Sequence, residues 1–311
     1  MRILCLGDLH TRQTVPENRS DSFYDDLLQK LYFITDYADN NDVQVVLLPG
    51  DIFHSPIQPY SLLIKMIKIL QGHDFSEIKY FGVYGQHDLL FHNKENKDVA
   101  LNVLEAAKVI TICDDTPILY KGVNFYGCSW GEEIPSIIND GVNILLMHKM
   151  VIAEKKLWGE QTEYTKSQSL LRKYTFDLIV AGDNHKTFQD NYRNRHLVNC
   201  GSLMRSNTDQ REHKPCFFVY DTSAKLNKLK KIEIPVKPEK QVFTTRKLKK
   251  RNKTNFEDKF TSSFDKEHEF TIDFKKNVMR IMSQTDDETL SANARMIVTD
   301  LLKEELDGSS R

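Results

Sequence analysis

The feature that most constrains this chain is a pattern repeated five times. A short apolar run is followed at once by a polar cluster built from aspartate, histidine, glycine and glutamine. The clusters are Gly7-Asp8-Leu9-His10, Gly50-Asp51-Ile52-Phe53-His54, Gly85-Gln86-His87-Asp88, Met147-His148-Lys149 and Gly182-Asp183-Asn184-His185. The runs ahead of them, such as RILCL at 2–6 and VQVVLL at 43–48, are short and almost wholly apolar. Such runs read as strands buried on both faces. In layered folds, ligands bind beyond the carboxyl ends of the strands, so five such clusters would meet along one edge. Four of them are led by glycine, which lets the backbone turn sharply and aim the next side chain into a crevice.

The segments between these runs have helical spacing. Asp21–Asp39 carries Phe23, Leu27, Leu28, Leu31, Ile34 and Tyr37 on one face, with Ser20 or Asp21 as the expected N-cap. Tyr60–Gln71 and Asp98–Lys108 are further expected helices. The first of these is apolar nearly all round, more than one buried face needs. Strands are expected at Ile78–Tyr84, Val123–Tyr126, Val142–Met147, Leu178–Ala181, His196–Asn199 and Cys216–Tyr220. The fold class is α/β, layered, with more consecutive strands in its later part.

Composition excludes several alternatives. A chain of 311 residues is one large domain or two modest ones. Five scattered cysteines with no C-x-x-C pair argue against zinc ribbons and disulfide scaffolds and for a reducing, cytoplasmic setting. The N-terminal apolar stretch is too short for a signal peptide, and no run approaches the ~18 residues a bilayer span needs. The net charge of −1 is a cancellation. Lys225–Lys253 holds twelve Lys/Arg against two Glu, a net +10, which leaves about −11 elsewhere. Such a stripe suits a phosphate backbone, because releasing counterions drives binding. A solvated linker is the plainer alternative. Candidate DNA contacts in this stripe are Lys247, Lys249, Lys250 and Arg251. Beyond the stripe, a strand-like His268–Phe274 and a helical Asp286–Leu306 suggest a small second unit.

The residue types in the clusters then point to chemistry. Asp8, His10, Asp51, His148, Asp183 and His185 are oxygen and imidazole donors with no thiolate among them. They suit hard or borderline divalent ions. Six or seven donors exceed the needs of one ion and suit two ions roughly 3.5–4 Å apart sharing a carboxylate. A lone Asp-x-His is a weak signal, and His73, His92, His196, His213 and His268 are assigned to ordinary surface or core roles.

In this order the clusters resemble the calcineurin-like metallophosphoesterase superfamily, with its D-x-H, G-D, G-N-H-D/E, H and G-H-x-H pattern, over about residues 1–220. The resemblance implies a two-sheet β-sandwich flanked by helices. It implies that Asp8, His10 and His185 hold one metal, Asp51 bridges, and Gln86, His148 and Asp183 hold the other. His87 would contact the scissile phosphate or protonate the leaving oxygen, and Asp88 would orient that imidazole. Two positions depart from the pattern: Gln86 replaces an asparagine and Asp183 replaces a histidine. Both keep a donor, and the carboxylate favours Mn²⁺ or Mg²⁺, with Fe²⁺ also allowed.

Within the superfamily, Gly50-Asp51-Ile52-Phe53-His54 and Asn199-Cys200-Gly201-Ser202-Leu203-Met204-Arg205 are similar to the SbcD-type DNA repair nucleases. That resemblance implies His54 as a second phosphate-contacting imidazole and Arg205 as a DNA contact. It implies exonuclease and endonuclease activity, an SMC-like SbcC-type ATPase partner, and a homodimer through helices near 59–71 and 98–108. It also implies an order of nuclease domain at 1–224, basic segment at 225–265, and small C-terminal α/β cap or partner-binding unit at 266–311. The chain is short for that group, which fits a compact, phage-encoded form. The rival readings are a small-substrate phosphatase or cyclic-nucleotide phosphodiesterase, and a weakly catalytic DNA-end scaffold.

Overall fold

The computed structural model describes residues 1–72, 77–153, 163–226 and 228–243. All of these belong to the first of two units, Met1–Thr244. The second unit, with the expected strand His268–Phe274 and helix Asp286–Leu306, lies outside the described residues.

In chain order the elements are β1 (Arg2–Cys5), α1 (Phe23–Asn40), β2 (Val43–Leu48), α2 (Tyr60–Gln71), β3 (Lys79–Gly82), α3 (Ala100–Ala106), β4 (Thr111–Ile112), β5 (Ile118–Tyr120), β6 (Val123–Cys128) and β7 (Val142–His148). There follow β8 (Val151–Ile152), β9 (Thr165–Lys166), α4 (Ser167–Lys173), β10 (Leu178–Gly182), β11 (Phe188–Tyr192), β12 (Arg195–Asn199), β13 (Cys216–Asp221), β14 (Leu229–Glu233) and α5 (Glu239–Val242). They form two six-stranded sheets, ordered β14-β13-β1-β2-β3-β4 and β11-β12-β10-β7-β6-β5, and a small β8-β9 pair.

The alternation of side chains explains the layering. Ile3 and Cys5 of β1 and Val45 and Leu47 of β2 face inward, meeting Phe125, Ile144, Leu146, Leu178 and Val180 of the second sheet. Leu4, Val46 and Leu48 point the other way, onto Leu27, Leu31 and Ile34 of α1 and Leu62 and Met66 of α2. Leu145, Met147 and Ile179 likewise back onto Leu170 and Leu171 of α4. Each central strand is therefore buried on both faces, and this is why its sequence is a continuous apolar run. The order is helices, sheet, sheet, helix, the flanked two-sheet sandwich expected from the resemblance.

Strands β1 to β4 run parallel, as do β6, β7, β10 and β12. The loops after β1, β2, β3, β7 and β10 carry the five clusters. Several expectations change in detail. Helix α1 starts at Phe23 with Ser22 as N-cap and no side-chain cap bond, so neither Ser20 nor Asp21 caps it. Helix α3 is shorter than Asp98–Lys108, because Val99 is extended and Lys108 has a positive φ. On α2 the buried set is Leu62, Leu63, Met66, Ile69 and Leu70, whereas Tyr60 and Ile64 are exposed. All five cysteines are buried thiols. No helix among the described residues is long and apolar enough to cross a membrane.

A buried ionic cluster ties α1 to the end of this unit. Asp26 pairs with Lys30 at 3.2 Å and with Arg19 at 3.4 Å, and Lys237 approaches it at 3.8 Å. Removing one member of a buried pair strands a charge away from water. Asp26→Ala is therefore expected to cost about 3–5 kcal/mol in urea unfolding. Gln29→Ala, on the exposed side of the same helix, should stay within about 0.5 kcal/mol.

Candidate metal centre

The centre forms where the two sheets present their carboxyl ends side by side. The chain after β1 runs beside the chain after β2. His10 N–H donates to the Asp51 carbonyl at 2.9 Å, Thr11 N–H to that of Ile52 at 2.9 Å, and His54 N–H to that of Thr11 at 3.2 Å. This pairing fixes the course of the segment that carries Asp8, His10 and Arg12. Three of the gathered residues hold left-handed backbones: His10 at φ 43°, Asp51 at 47° and Asp183 at 78°. Such conformations are costly for residues other than glycine and persist where the surroundings over-determine them. Two glycines make the approach possible. Gly50 sits at φ +94°, and a Cβ there would collide with His148 Nδ1. A Cβ on Gly85 would collide with Asp51 Oδ1.

All seven residues expected as ligands come together. His10 Nε2 lies 3.0 Å from His185 Nε2, and His185 Nε2 lies 3.8 Å from Asp8 Oδ2. These three can point one donor atom each at a common position. On the other side, His148 Nε2 is 2.7 Å from Gln86 Oε1, and Gln86 Nε2 donates to Asp183 Oδ1 at 3.2 Å. The amide is thereby oriented with its oxygen toward the centre. Asp51 stands between the two sets. Its Oδ1 accepts from His87 N–H at 2.9 Å. Its Oδ2 is 3.6 Å from His10 Nε2 and 3.4 Å from His148 Nε2. That oxygen is buried and has no hydrogen-bond partner, and His10 Nδ1 is also buried and unpartnered. An unsatisfied buried acceptor costs about 1–3 kcal/mol, more when charged. A cation on each side of Oδ2 would satisfy it, so the donor set fits two divalent ions.

The electrostatics agree. Burial pulls the His148 imidazole down, but Asp51, Asp8 and Asp183 outweigh burial and hold it up to about 10. Its Nδ1–H donates to the Pro49 carbonyl at 2.7 Å, which directs Nε2 into the centre. Burial also raises Asp8 well above the usual carboxylate range, with the charges of Asp51 and Asp183 adding to it. Asp183 is raised for the same reasons, burial first and then the Asp51 charge. Burial pushes Asp51 up as well, but His148 and His87 outweigh it and hold that carboxylate low. With no cation, three carboxylates crowd one protonated imidazole.

Two sequence readings change here. Asp88 does not orient His87. Its carboxylate accepts from the backbone N–H groups of Ile52, Phe53 and Gly85 at 3.0–3.3 Å, tying the second loop to the third. Burial and the Asp51 charge push it up to about 7. His87 is oriented instead by the carbonyl of His54, 3.0 Å from its Nδ1. Arg205 is not a surface DNA contact. It is 4% exposed and its guanidinium donates to the carbonyls of Arg211 and Lys237. The Gly201-Ser202 turn before it supports the centre from behind, with Ser202 N–H donating to the His185 carbonyl at 3.2 Å. Lys247, Lys249, Lys250 and Arg251 lie outside the described residues.

One site residue escaped the sequence reading. Arg12 Nη1 donates to His54 Nε2 at 2.7 Å. Burial first, then the cationic Arg12 and His87, pull His54 down to about 3, so it is a neutral imidazole at physiological pH. The alternation Asp8, His10, Arg12 was the signal that could have found it. His54 and His87 stack at 5.6 Å and 15° beside His10. Of the histidines assigned ordinary roles, His213 donates to the Ser202 carbonyl and His92 packs on Trp130. His73 and His268 lie outside the described residues.

Residues 1–187 match the calcineurin-like phosphoesterase family. No curated protein sequence matches significantly. Similar solved structures include a novel archaeal phosphodiesterase, 13% identical, covering 75% of this chain and 100% of that one at TM-score 0.43. The protein TT1561 of Thermus thermophilus is 14% identical, covering 75% and 99% at TM-score 0.47. A Vps29 single mutant from Entamoeba histolytica is 13% identical, covering 76% and 100% at TM-score 0.36.

The raised His148 sets a pH dependence. Below about pH 10 the imidazole carries a proton that a cation must displace. Mn²⁺ affinity should therefore rise from pH 6 to pH 9, with about one proton released per His148 engaged. Calorimetry in buffers of different ionisation enthalpy measures this, and His148→Ala should abolish that release.

Proposed function

Because the chain belongs to the calcineurin-like phosphoesterase family, whose chemistry is metal-dependent phosphoester hydrolysis, we propose that it is a DNA phosphodiesterase. In this reading it is an exonuclease and endonuclease acting as the nuclease subunit of an SbcCD-like repair or recombination complex. The observation that carries the reading is the pair of stacked imidazoles, His54 and His87, set at the mouth of a two-ion donor set and backed by Arg12.

Asp8, His10 and His185 would hold one ion, Gln86, His148 and Asp183 the other, and Asp51 both. When bound, such ions polarise a phosphoryl oxygen and lower the pKa of a water to near neutral. Asp183 and the Gln86 amide are hard oxygen donors, which favours Mn²⁺. His87 has its Nδ1 against the His54 carbonyl. Its reactive nitrogen is then Nε2: as an imidazolium, His87 would pass the Nε2 proton to the leaving sugar oxygen and stay neutral with its Nδ1–H on the carbonyl. His54 stays neutral and gives its Nε2 lone pair to Arg12, fixing that guanidinium where a phosphate's charge can meet it.

Binding of the DNA backbone is assigned to the basic segment. Its described part includes edge strand β14, where Lys230 and Lys231 are exposed. Exposed lysines also protect an edge strand from pairing with other chains, so the two roles coexist there. The 266–311 unit is assigned to capping DNA or to binding an SbcC-type ATPase. Exposed Tyr60, Ile64 and Val103 on α2 and α3 support a homodimer through those helices.

End-labelled single- and double-stranded DNA with and without Mn²⁺ tests the reading. His87→Ala should lower kcat by about 10²–10⁴-fold with Mn²⁺ still bound. Asp8→Ala should abolish cleavage through loss of metal, and wild-type DNA binding should weaken steeply with salt. Variants that cut DNA as well as wild type would overturn the assignment. So would a wild-type enzyme that hydrolyses small diesters and leaves DNA intact.

A further inference from the structure

Two loops rise from the same edge as the metal centre and are fastened to each other. The first follows β3. It carries Gln86 and His87 in one 3-10 turn and Leu90–His92 in the next. The second follows β6, starting at Ser129. Trp130 N–H donates to the Tyr84 carbonyl at 2.8 Å, one residue before Gly85. Lys94 of the first loop pairs with Glu132 of the second, and Glu132 also accepts from Ser129 N–H at 2.8 Å. The Trp130 indole packs against the His92 ring, 4.7 Å between centroids. Beside this pair Phe91 is 70% exposed.

The backbone at this point is strained. Phe91 and His92 are consecutive left-handed residues, φ 54° and 55°. Bulky residues rarely adopt that region. Strain of this kind persists at ligand clamps and active sites. Here the strained turn holds a large aromatic ring in water, so its burial in the core does not account for it. From His87 to Phe91 is four residues, at most about 14 Å of chain. A stacked strand advances about 3.4 Å per nucleotide, so the ring lies within a few nucleotides of any phosphate held by His87.

We propose that Phe91, backed by the Trp130–His92 pair, is a stacking platform for an unpaired nucleobase of the strand whose phosphate occupies the metal centre. This rests on the DNA reading and narrows it to single-stranded or frayed ends. In a duplex both faces of a base are covered by its neighbours, whereas an unpaired base offers a π-face to an aromatic ring whatever its sequence.

Trp130 and Trp158 are the two tryptophans, so Trp158→Phe leaves Trp130 as sole reporter. In that background, with Ca²⁺ in place of Mn²⁺, a ten-residue oligothymidylate should quench Trp130 and bind about tenfold or more tighter than an abasic oligomer of equal length and charge. Phe91→Ala should lose the preference and Phe91→Tyr should keep it, each with unchanged circular dichroism and melting temperature. Equal binding and quenching by the abasic oligomer would overturn the proposal, as would a preference retained in Phe91→Ala. So would a Phe91→Ala protein that loses an oligomeric state while keeping its base preference. Base-dependent quenching in a protein that cuts no DNA with Mn²⁺ would sink the nuclease reading and leave the platform standing. Cleavage without base dependence would do the reverse.

Discussion

The structure depends on one carboxylate oxygen. Asp51 Oδ2 is buried, has no hydrogen-bond donor, and stands 3.6 Å from His10 Nε2 and 3.4 Å from His148 Nε2. Around it Asp8 and Asp183 are raised by burial and by neighbouring carboxylate charge, while His148 is held protonated against its burial. An arrangement of this kind is unfavourable without compensating positive charge. Two divalent ions sharing Asp51 would supply that charge and would satisfy its unpaired oxygen. Strained backbones at His10, Asp51 and Asp183, and glycines 50 and 85 that leave no room for a Cβ, follow from the same convergence.

The two-sheet sandwich is what makes the convergence rigid. Parallel strands β1, β2 and β3 of one sheet and β7 and β10 of the other end at the same edge, so ligands more than a hundred residues apart in sequence become neighbours. Each central strand is buried on both faces, against the opposing sheet and against helices. Close packing of this sort resists the small displacements that would let like charges move apart. Asp88 adds a local brace, because its carboxylate gathers three backbone N–H groups from two ligand-bearing loops.

Much of this was legible in the sequence, for identifiable reasons. Doubly buried strands are apolar throughout, so β1, β2, β7 and β10 stood out, and the abrupt change to Gly-Asp or His marked their ends. Six of the gathered donors, Asp8, His10, Asp51, His148, Asp183 and His185, stood out by residue type and order, and Gln86 came only from the resemblance to the family pattern. The short strands β4, β5, β8, β9 and β11 and helices α4 and α5 were missed, because runs of two to seven residues carry too little periodicity. Arg205 and Asp88 were misread for a different reason. Their partners are backbone groups, carbonyls of 211 and 237 for one and N–H groups of 52, 53 and 85 for the other, and side-chain chemistry gives no sign of these. Arg12 was overlooked because its role depends on a bridge between residues 11 and 53 that only the fold creates.

The central claim is that Asp51 is shared by two cations. Crystals of the wild-type protein grown with Mn²⁺ and measured at its absorption edge test this directly. The account predicts two anomalous peaks per chain, one on the Asp8–His10–His185 side of Asp51 and one on the Gln86–His148–Asp183 side, both within bonding distance of its carboxylate. A single peak, or two peaks with Asp51 bound to neither, would contradict it.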